Sequence, residues 1–156
     1  MNKIEKSLVT GGAGFIGSNL VDRLVEIGHK VIVLDNFVSG KKVNLSHHKK
    51  KNVKIIKLDI SENKNLDKYF KKVDYVFHLA GLAEIIPSIK NPKKYFKNNV
   101  LGTYKVIEAS KKAKIKKFIY AASSTCYGLS EIKTSENANN SNTPDKSENL
   151  IIAYEV

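Results

Sequence analysis

The segment TGGAGFIG, which begins at Thr10, constrains the fold of this chain more than any other stretch. It follows residues 4–10 (IEKSLVT), an apolar run that predicts a strand buried toward its end. It precedes residues 15–28, where Phe15/Ile16, Leu20, Leu24 and Ile27 recur at helical spacing and Gly28 suits the helix end. The segment therefore predicts a strand, a glycine turn and a helix in direct succession.

The three spaced glycines of this turn have distinct uses. Gly11 can take the tight turn, Gly14 can let the backbone approach a pyrophosphate, and Gly17 can let the helix pack close to the sheet. The N-terminus of the helix adds free N–H groups and the positive end of the helix dipole. The turn therefore predicts a site that binds the phosphates of a dinucleotide.

Apolar runs alternate with helical segments along the following hundred residues. Further strands are predicted at 31–35, 53–60, 74–81 and 116–123, and further helices at 62–72 and 92–113. Buried strands that alternate with helices predict a parallel sheet covered on both faces. Right-handed crossovers make this an α/β, doubly wound Rossmann fold with five strands, here incomplete and without a C-terminal substrate domain.

The composition changes at about residue 134. From there TSENANNSNTPDKSENL is polar, rich in Asn and Ser, and without periodicity, which is typical of coil or disorder. The last six residues, IIAYEV, are too few to build an element with its own core. We therefore divide the chain into a partial dinucleotide-binding domain, 1–133, and a disordered tail, 134–156.

The composition also excludes several function classes. The formal charge is +12, but the lysines are spread over the chain and Arg23 is the only arginine, so nucleic-acid binding is not favoured. The single cysteine, Cys126, allows no intrachain disulfide and indicates a reducing compartment. No run reaches the eighteen or more apolar residues of a membrane helix. We expect a cytoplasmic protein without a membrane or nucleic-acid partner.

An acid at the end of the second strand indicates which dinucleotide is bound. Asp35 follows Gly17 by eighteen positions, where a carboxylate can accept hydrogen bonds from ribose hydroxyls and repel a 2′-phosphate. This favours NAD. Lys41 and Lys42 follow soon after, so NADP stays open as an alternative.

Other polar residues carry weaker signals. Asp59 and Ile60 end the third strand and could flank an adenine ring, but Asp59 serves equally well as a helix cap. His78 lies in a buried strand and is interpreted as core packing, and no metal-ligand spacing surrounds it. His47 and His48 precede a lysine run and are interpreted as solvated.

Four ordered motifs together carry a resemblance to a known family. They are TGGAGFIGSNLVDRLVEIGHKVIVLDNFVSG, VFHLAG, NPKKYFKNNVLGTYKVIEAS and FIYAASSTCYG. They resemble the extended short-chain dehydrogenase/reductase (NAD-dependent epimerase/dehydratase) family, in its nucleotide-sugar epimerase branch, over about residues 4–136. The resemblance implies an NAD-binding Rossmann domain, a nucleotide-sugar substrate and a typically homodimeric protein, and it predicts a C-terminally truncated chain that can self-associate.

The resemblance also implies roles for particular residues. By this resemblance the residues that contact NAD are in the glycine turn, at the ends of the second, third and fourth strands, and at one helix asparagine that holds the active site in place. They are Gly11, Gly14, Phe15, Ile16, Gly17, Asp35, Asn36, Asp59, Ile60, Leu79, Ala80, Gly81 and Asn99. The position of the family's catalytic serine or threonine corresponds to Ser123, which would hydrogen-bond the reacting oxygen.

Two positions after Ser123 distinguish the family's reactions. The sugar dehydratases have an Asp-Glu pair there, since loss of water needs an extra acid and base, whereas this chain has Ser124 and Thr125. The implied activity is 4-epimerization of a UDP-sugar for surface polysaccharide synthesis. Its catalytic base would be a tyrosine with a lysine four residues on, and none of the seven tyrosines here has one.

We therefore expect retained NAD binding without turnover. The alternatives are a catalytically inert NAD-binding module or non-functional fragment, and a nucleotide-sugar dehydratase.

Overall fold

The computed structural model describes residues 4–122 and 153–155, and its centre is a six-stranded sheet. The strands are β1 Lys6–Thr10, β2 Lys30–Asp35, β3 Val53–Lys57, β4 Tyr75–His78, β5 Lys117–Tyr120 and β6 Ala153–Glu155. Their order across the sheet is β3-β2-β1-β4-β5-β6. The first five are mutually parallel, which confirms the predicted five-stranded Rossmann sheet.

Helices connect the parallel strands. They are α1 Phe15–Glu26, a 3₁₀ helix Lys42–Leu45, α2 Asp67–Phe70, α3 Ile85–Lys90, α4 Pro92–Tyr95, a π-helical segment Phe96–Leu101 and α5 Gly102–Ala113. The predicted helix at 92–113 is present as three consecutive helical pieces. It begins with Asn91 as its cap, whose side chain accepts a hydrogen bond from the Lys94 N–H, and with Pro92 in its first turn. The predicted helix at 62–72 is only one turn long, and α3 was not predicted.

Two apolar clusters cover the two faces of the sheet, because successive strand residues point to opposite sides. Leu8 and Leu34 belong to the cluster that also holds Phe70 of α2 and Val106 of α5. The neighbouring Val9 belongs to the second cluster with α1 and the 3₁₀ helix; its other members include Val21, Leu24, Val31, Val33 and Leu45. Both faces of the sheet are thus covered, as a parallel sheet requires.

The buried face of α1 differs from the one predicted. Gly17, Ser18, Val21 and Leu24 are buried, whereas the side chains of Phe15, Ile16 and Ile27 are exposed. Helical spacing alone fits more than one face of a helix. The close packing of Gly17 against the glycine turn decides which face of α1 contacts the sheet.

The end of the chain corrects the prediction of a tail without structure. β6 pairs antiparallel with β5, with Ala153 opposite Ile119 and Glu155 opposite Lys117. The prediction is wrong for these three residues, and β5 is not an open edge where they pair. An edge strand offers unpaired N–H and C=O groups, so a short extended segment can join it without a core of its own. Residues 123–152, which include Ser123 and most of the predicted tail, lie outside the described residues.

Within the described part of the chain, no helix has both the length and the apolar character needed to cross a bilayer. The cytoplasmic location stays a prediction.

Candidate functional site

A cleft opens at the carboxyl ends of the first four strands. The sheet order changes direction between β1 and β4, and in open α/β sheets ligands bind at such a switch point. Nine of the predicted cofactor residues line the cleft: Gly11, Gly14, Asp35, Asn36, Asp59, Ile60, Leu79, Ala80 and Gly81. The structure therefore brings together residues from four separate strand ends that the sequence placed up to seventy positions apart.

The glycine turn forms one side of this cleft and leaves no room for side chains. Gly11 has a φ of +69°, and a Cβ there would lie 2.8 Å from the backbone nitrogen of Ala80. A Cβ on Gly17 would overlap the carbonyl oxygen of Gly11 and lie 2.7 Å from the Cα of Gly12. A Cβ on Gly14 would meet that same oxygen at 3.3 Å. The turn is therefore a backbone cradle at the N-terminus of α1, which suits a phosphate group.

Asp35 joins the glycine turn to the end of β2. The residue is 7% exposed. Its carboxylate accepts hydrogen bonds from the N–H of Ala13 at 2.9 Å and of Phe37 at 2.8 Å. Phe37 adopts a φ of +61°, which is rare for a bulky side chain and typical of functional segments. A carboxylate has about four acceptor positions, so two remain for hydroxyls in the cleft.

Asn36 and Asp59 form a second polar link, between β2 and β3. The Asn36 side chain donates to the Asp59 carboxylate at 3.0 Å. The hydroxyl and the N–H of Ser61 donate to the other carboxylate oxygen at 2.6 and 2.9 Å. Burial raises the pKa of Asp59, but the hydrogen bonds from Ser61 and Asn36 outweigh it and lower the pKa below its ordinary value of 3.8. Asp59 is therefore an ionised acceptor at neutral pH.

Ile60 serves the cleft and the core together. It is buried in the first apolar cluster, and its side chain lies 3.2 Å from the position of a Cβ on Gly102, the first residue of α5. The same residue lines the cleft. Ile60 thus supplies an apolar surface that the protein core holds in place.

The end of β4 forms the opposite side of the cleft. Asn99, in the π-helical segment, accepts a hydrogen bond from the N–H of Leu82 and donates one to its carbonyl, both at 2.8 Å. This pair fixes the backbone that follows Gly81. Asn99 itself does not line the cleft, whereas Leu82 and the adjacent Asn98 line it and were not predicted.

His78, the last residue of β4, contacts both the end of β1 and the start of α5. One ring nitrogen lies 2.6 Å from the Thr10 hydroxyl and the other lies 2.7 Å from the Thr103 hydroxyl. Burial lowers the pKa of His78 to about 4, so the ring is neutral at physiological pH. The Thr10 hydroxyl also accepts the N–H of Ala80 at 3.3 Å. The prediction that His78 packs in the core agrees with this buried arrangement.

Some predicted residues lie elsewhere. Phe15 is 85% exposed at the start of α1, and neither it nor Ile16 lines the cleft, so their cofactor contacts stay predictions. Ser123 is outside the described residues. His47 is exposed, as interpreted, although its ring contacts Asp22. The interpretation of His48 as solvated is wrong, since its ring also contacts Asp22 and its side chain is only 8% exposed.

The segment after β2 supplies cleft residues that the sequence did not reveal. Val38 and Ser39 line the cleft, and Lys42 lies over the ring of Phe37, 5.7 Å from its centroid. The backbone N–H of Lys41 and the side chain of Asn44 both donate to the Ala13 carbonyl, at 3.0 and 2.8 Å. These contacts fold the segment back over the turn. No motif marks them, because they depend on how a loop returns to α1.

Comparison with known proteins identifies the same region. The model of the NAD dependent epimerase/dehydratase family matches residues 7–149. The chain is 39% identical over 126 residues to UDP-glucose 4-epimerase of Haemophilus influenzae, covering 78% of this chain and 37% of that protein. It is 37% identical over 155 residues to dTDP-D-glucose 4,6-dehydratase of Dictyostelium discoideum, covering 96% and 36%.

A solved structure agrees with these matches. UDP-N-acetylglucosamine 4-epimerase from Methanobrevibacter ruminantium superposes with a TM-score of 0.78 at 41% identity, covering 88% of this chain and 44% of that one. The chain therefore spans less than half the length of the proteins that it matches here.

Proposed function

The chain belongs to the NAD dependent epimerase/dehydratase family, and on that premise we propose that it is the NAD-binding half of a nucleotide-sugar 4-epimerase of the UDP-hexose type. The observation that carries this proposal is the cleft between β1 and β4. It combines a glycine cradle, two carboxylates at strand ends and an apolar residue in one place. That combination fits the phosphates, ribose and base of a dinucleotide.

Each part of the cleft has a function in binding. The free N–H groups at the start of α1 hold the pyrophosphate, and Asp35 accepts from the adenosine ribose while disfavouring a 2′-phosphate. Asn36 and Asp59 border the adenine, whose ring packs on Ile60. Leu79, Ala80 and Gly81 run along the nicotinamide half. Bound NAD would supply the site that accepts a hydride from the sugar and returns it.

Epimerization is favoured over dehydration by the residues that follow Ser123. Ser124 and Thr125 carry no carboxyl group, so they supply no extra acid and base for the loss of water. The dehydratase is the second candidate, because the Dictyostelium relative matches 96% of this chain. The proposed role of Ser123 is to donate a hydrogen bond to the oxygen that gains charge as the sugar is oxidised.

The proposal for the 156-residue chain itself is NAD binding without turnover. None of its seven tyrosines has a lysine four positions on, the pair in which the lysine charge lowers the pKa of the tyrosine. Calorimetric titration with NAD and NADP, together with assays on UDP-glucose and UDP-N-acetylglucosamine, tests both parts. We expect micromolar NAD binding, at least about tenfold weaker NADP binding, and no 4-epimer above a no-protein control.

Matched variants locate the binding in the cleft. Asp35→Asn removes a carboxylate charge from the proposed ribose site, and we expect at least about tenfold weaker NAD binding. Asp67→Asn removes an acid from the exposed start of α2 and serves as the control. No NAD binding by folded protein would overturn the cofactor proposal, whereas 4-epimer formation would overturn only the proposal that turnover is absent.

Self-association is a further expectation for this chain. Large apolar side chains of the α3 to α5 region are exposed: Ile85, Ile86, Ile89, Phe96, Val100, Leu101, Tyr104 and Ile107. Exposed apolar patches of this kind are typical of association surfaces. A monodisperse monomer in light scattering at high concentration would contradict the expectation.

A further inference from the structure

We propose that Asp22, His47 and His48 form a binding site for a divalent transition-metal ion of the Zn²⁺ type, on the α1 side of the sheet. One carboxylate oxygen of Asp22 lies 3.0 Å from Nε2 of His47 and 2.7 Å from Nε2 of His48. The three donor atoms all lie within 4.8 Å of one another. This site is separate from the residues that line the cleft.

The spacing of the donors suits a small ion. Zn²⁺ binds imidazole nitrogen and carboxylate oxygen at about 2.0–2.2 Å in tetrahedral geometry. Two donors at that distance from one tetrahedral centre are about 3.3 Å apart. The observed separations of 3.0 and 2.7 Å between Asp22 and the histidines need to widen by only a few tenths of an ångström. Three protein donors then leave one coordination position for water.

The fold holds these donors in position before any ion binds. Asp22 lies on α1 directly after Val21, which is fully buried. His47 and His48 follow Leu45, the end of the 3₁₀ helix, whose side chain packs in the same apolar cluster as Val21. Since both sides of the site are anchored in one core cluster, little conformational entropy is lost when an ion binds.

The two imidazoles favour first-row transition metals over Mg²⁺ and Ca²⁺, which prefer all-oxygen ligand sets.

Nearby positive charge sets an upper limit on the affinity. Arg23 points toward Glu26, with 3.0 Å between the charged groups, but the run 49–51 consists of three lysines. We therefore expect dissociation constants on the order of 10 µM rather than those of a permanently loaded structural site.

The site would fasten the segment after β2 to α1. That segment also carries Val38 and Ser39 of the cleft, so a bound ion would stiffen one border of it. An ion that binds the folded protein and not the unfolded chain raises the melting temperature. The melting temperature therefore reports binding independently of NAD and of catalysis.

The test uses untagged protein carrying Cys126→Ser, which removes the single thiol as a competing ligand. Equilibrium dialysis and thermal melting are measured with Zn²⁺, Ni²⁺ and Mg²⁺. We expect one equivalent of Zn²⁺ or Ni²⁺ and a higher melting temperature, with no effect of Mg²⁺ at the same concentration. Failure to retain either transition metal at about 100 µM, tenfold above the expected dissociation constant, would overturn the proposal.

Variants show whether these three residues hold the ion. Asp22→Asn, His47→Gln and His48→Gln should each weaken Zn²⁺ binding at least about tenfold, the smallest loss expected when even an outer-shell partner is removed. The control is Asp67→Asn, because the side chains of Asp67 and Asp22 are similarly exposed, at 44% and 40%. His47 is exposed, so His47→Gln is expected to stay folded even if the variant at His48 does not. Zn²⁺ binding to His47→Gln and Asp22→Asn as tight as to the control would overturn the proposed site.

Discussion

The two sides of the cleft are built in different ways. We call them the turn wall, residues 11–17, and the β4 wall, residues 79–82. A Cβ added at Gly11 or at Gly17 would collide with backbone atoms. A Cβ added at Gly81 would lie 3.6 Å from its nearest neighbour, the Asn99 side-chain oxygen, which is an ordinary van der Waals contact. The turn wall is fixed by backbone packing, and the β4 wall by the side chain of Asn99. Gly11 and Gly17 should therefore tolerate almost no substitution, whereas substitutions in the β4 wall should lower stability by smaller amounts.

Gly17→Ala is the strongest test of this difference. The new methyl group would overlap the Gly11 carbonyl oxygen and lie close to the Gly12 Cα, and both are backbone atoms rather than the ends of flexible side chains. We expect a loss of about 2–3 kcal/mol in the free energy of unfolding, measured by urea denaturation, and a loss of NAD binding in calorimetry. Unchanged stability would mean that α1 can shift away from the turn and that the turn wall is not fixed.

A change of pH tests the contribution of His78, whose ring contacts Thr10 of β1 and Thr103 of α5. Its pKa is about 4 when folded and about 6.5 when unfolded, so the unfolded chain binds the extra proton first. The full stability is present above pH 6.5, and about 3 kcal/mol should be lost as the pH falls to 4. His78→Gln should remove this slope in urea unfolding series.

The same series separates His78 from the cleft acid. The lowered pKa of Asp59 gives stability that is present above about pH 4 and lost below it. Protonation of Asp59 therefore lowers stability below about pH 4, outside the range of pH 6.5 to 4 in which protonation of His78 lowers it. Equal slopes for wild type and His78→Gln between pH 6.5 and 4 would contradict the role given to this ring.

Asn99→Ala tests the β4 wall itself. The variant leaves the N–H and carbonyl of Leu82 without their side-chain partner, and water replaces it in part. We expect a loss of about 1–2 kcal/mol in the free energy of unfolding. Asn98→Ala is the control, since among the described residues its side chain donates to the Lys94 carbonyl of the same helical region and not to the β4 wall. Equal effects of the two variants would show that Asn99 does not brace the wall.

Gly81→Ala should have the smallest effect. The added methyl group has space in the β4 wall, so the change in stability should stay within about 0.5 kcal/mol. It is also the matched control for Gly17→Ala, since both substitutions add one methyl group to a glycine of the same cleft. A loss as large as that of Gly17→Ala would remove the distinction between the two walls.

Local patterns predicted most of the elements but not how they meet. The short apolar runs located five strands, and the glycine spacing located the turn, because each signal lies within a few residues of sequence. The predicted face of α1 was wrong at Phe15, Ile16 and Ile27, since spacing does not reveal which side a neighbour approaches. β6 was missed because a three-residue strand is stabilised by its partner and not by its own composition.

The sequence by itself determined the family, the parallel sheet and the residues at the strand ends, because those depend on motifs of fixed spacing. Only the tertiary structure decided what these side chains contact. Asp35 joins the turn to the segment after β2 through the N–H groups of Ala13 and Phe37. Asp22 contacts His47 and His48, which follow it by 25 and 26 positions in the sequence. Such contacts form where the chain returns on itself, and the packed core sets their distances.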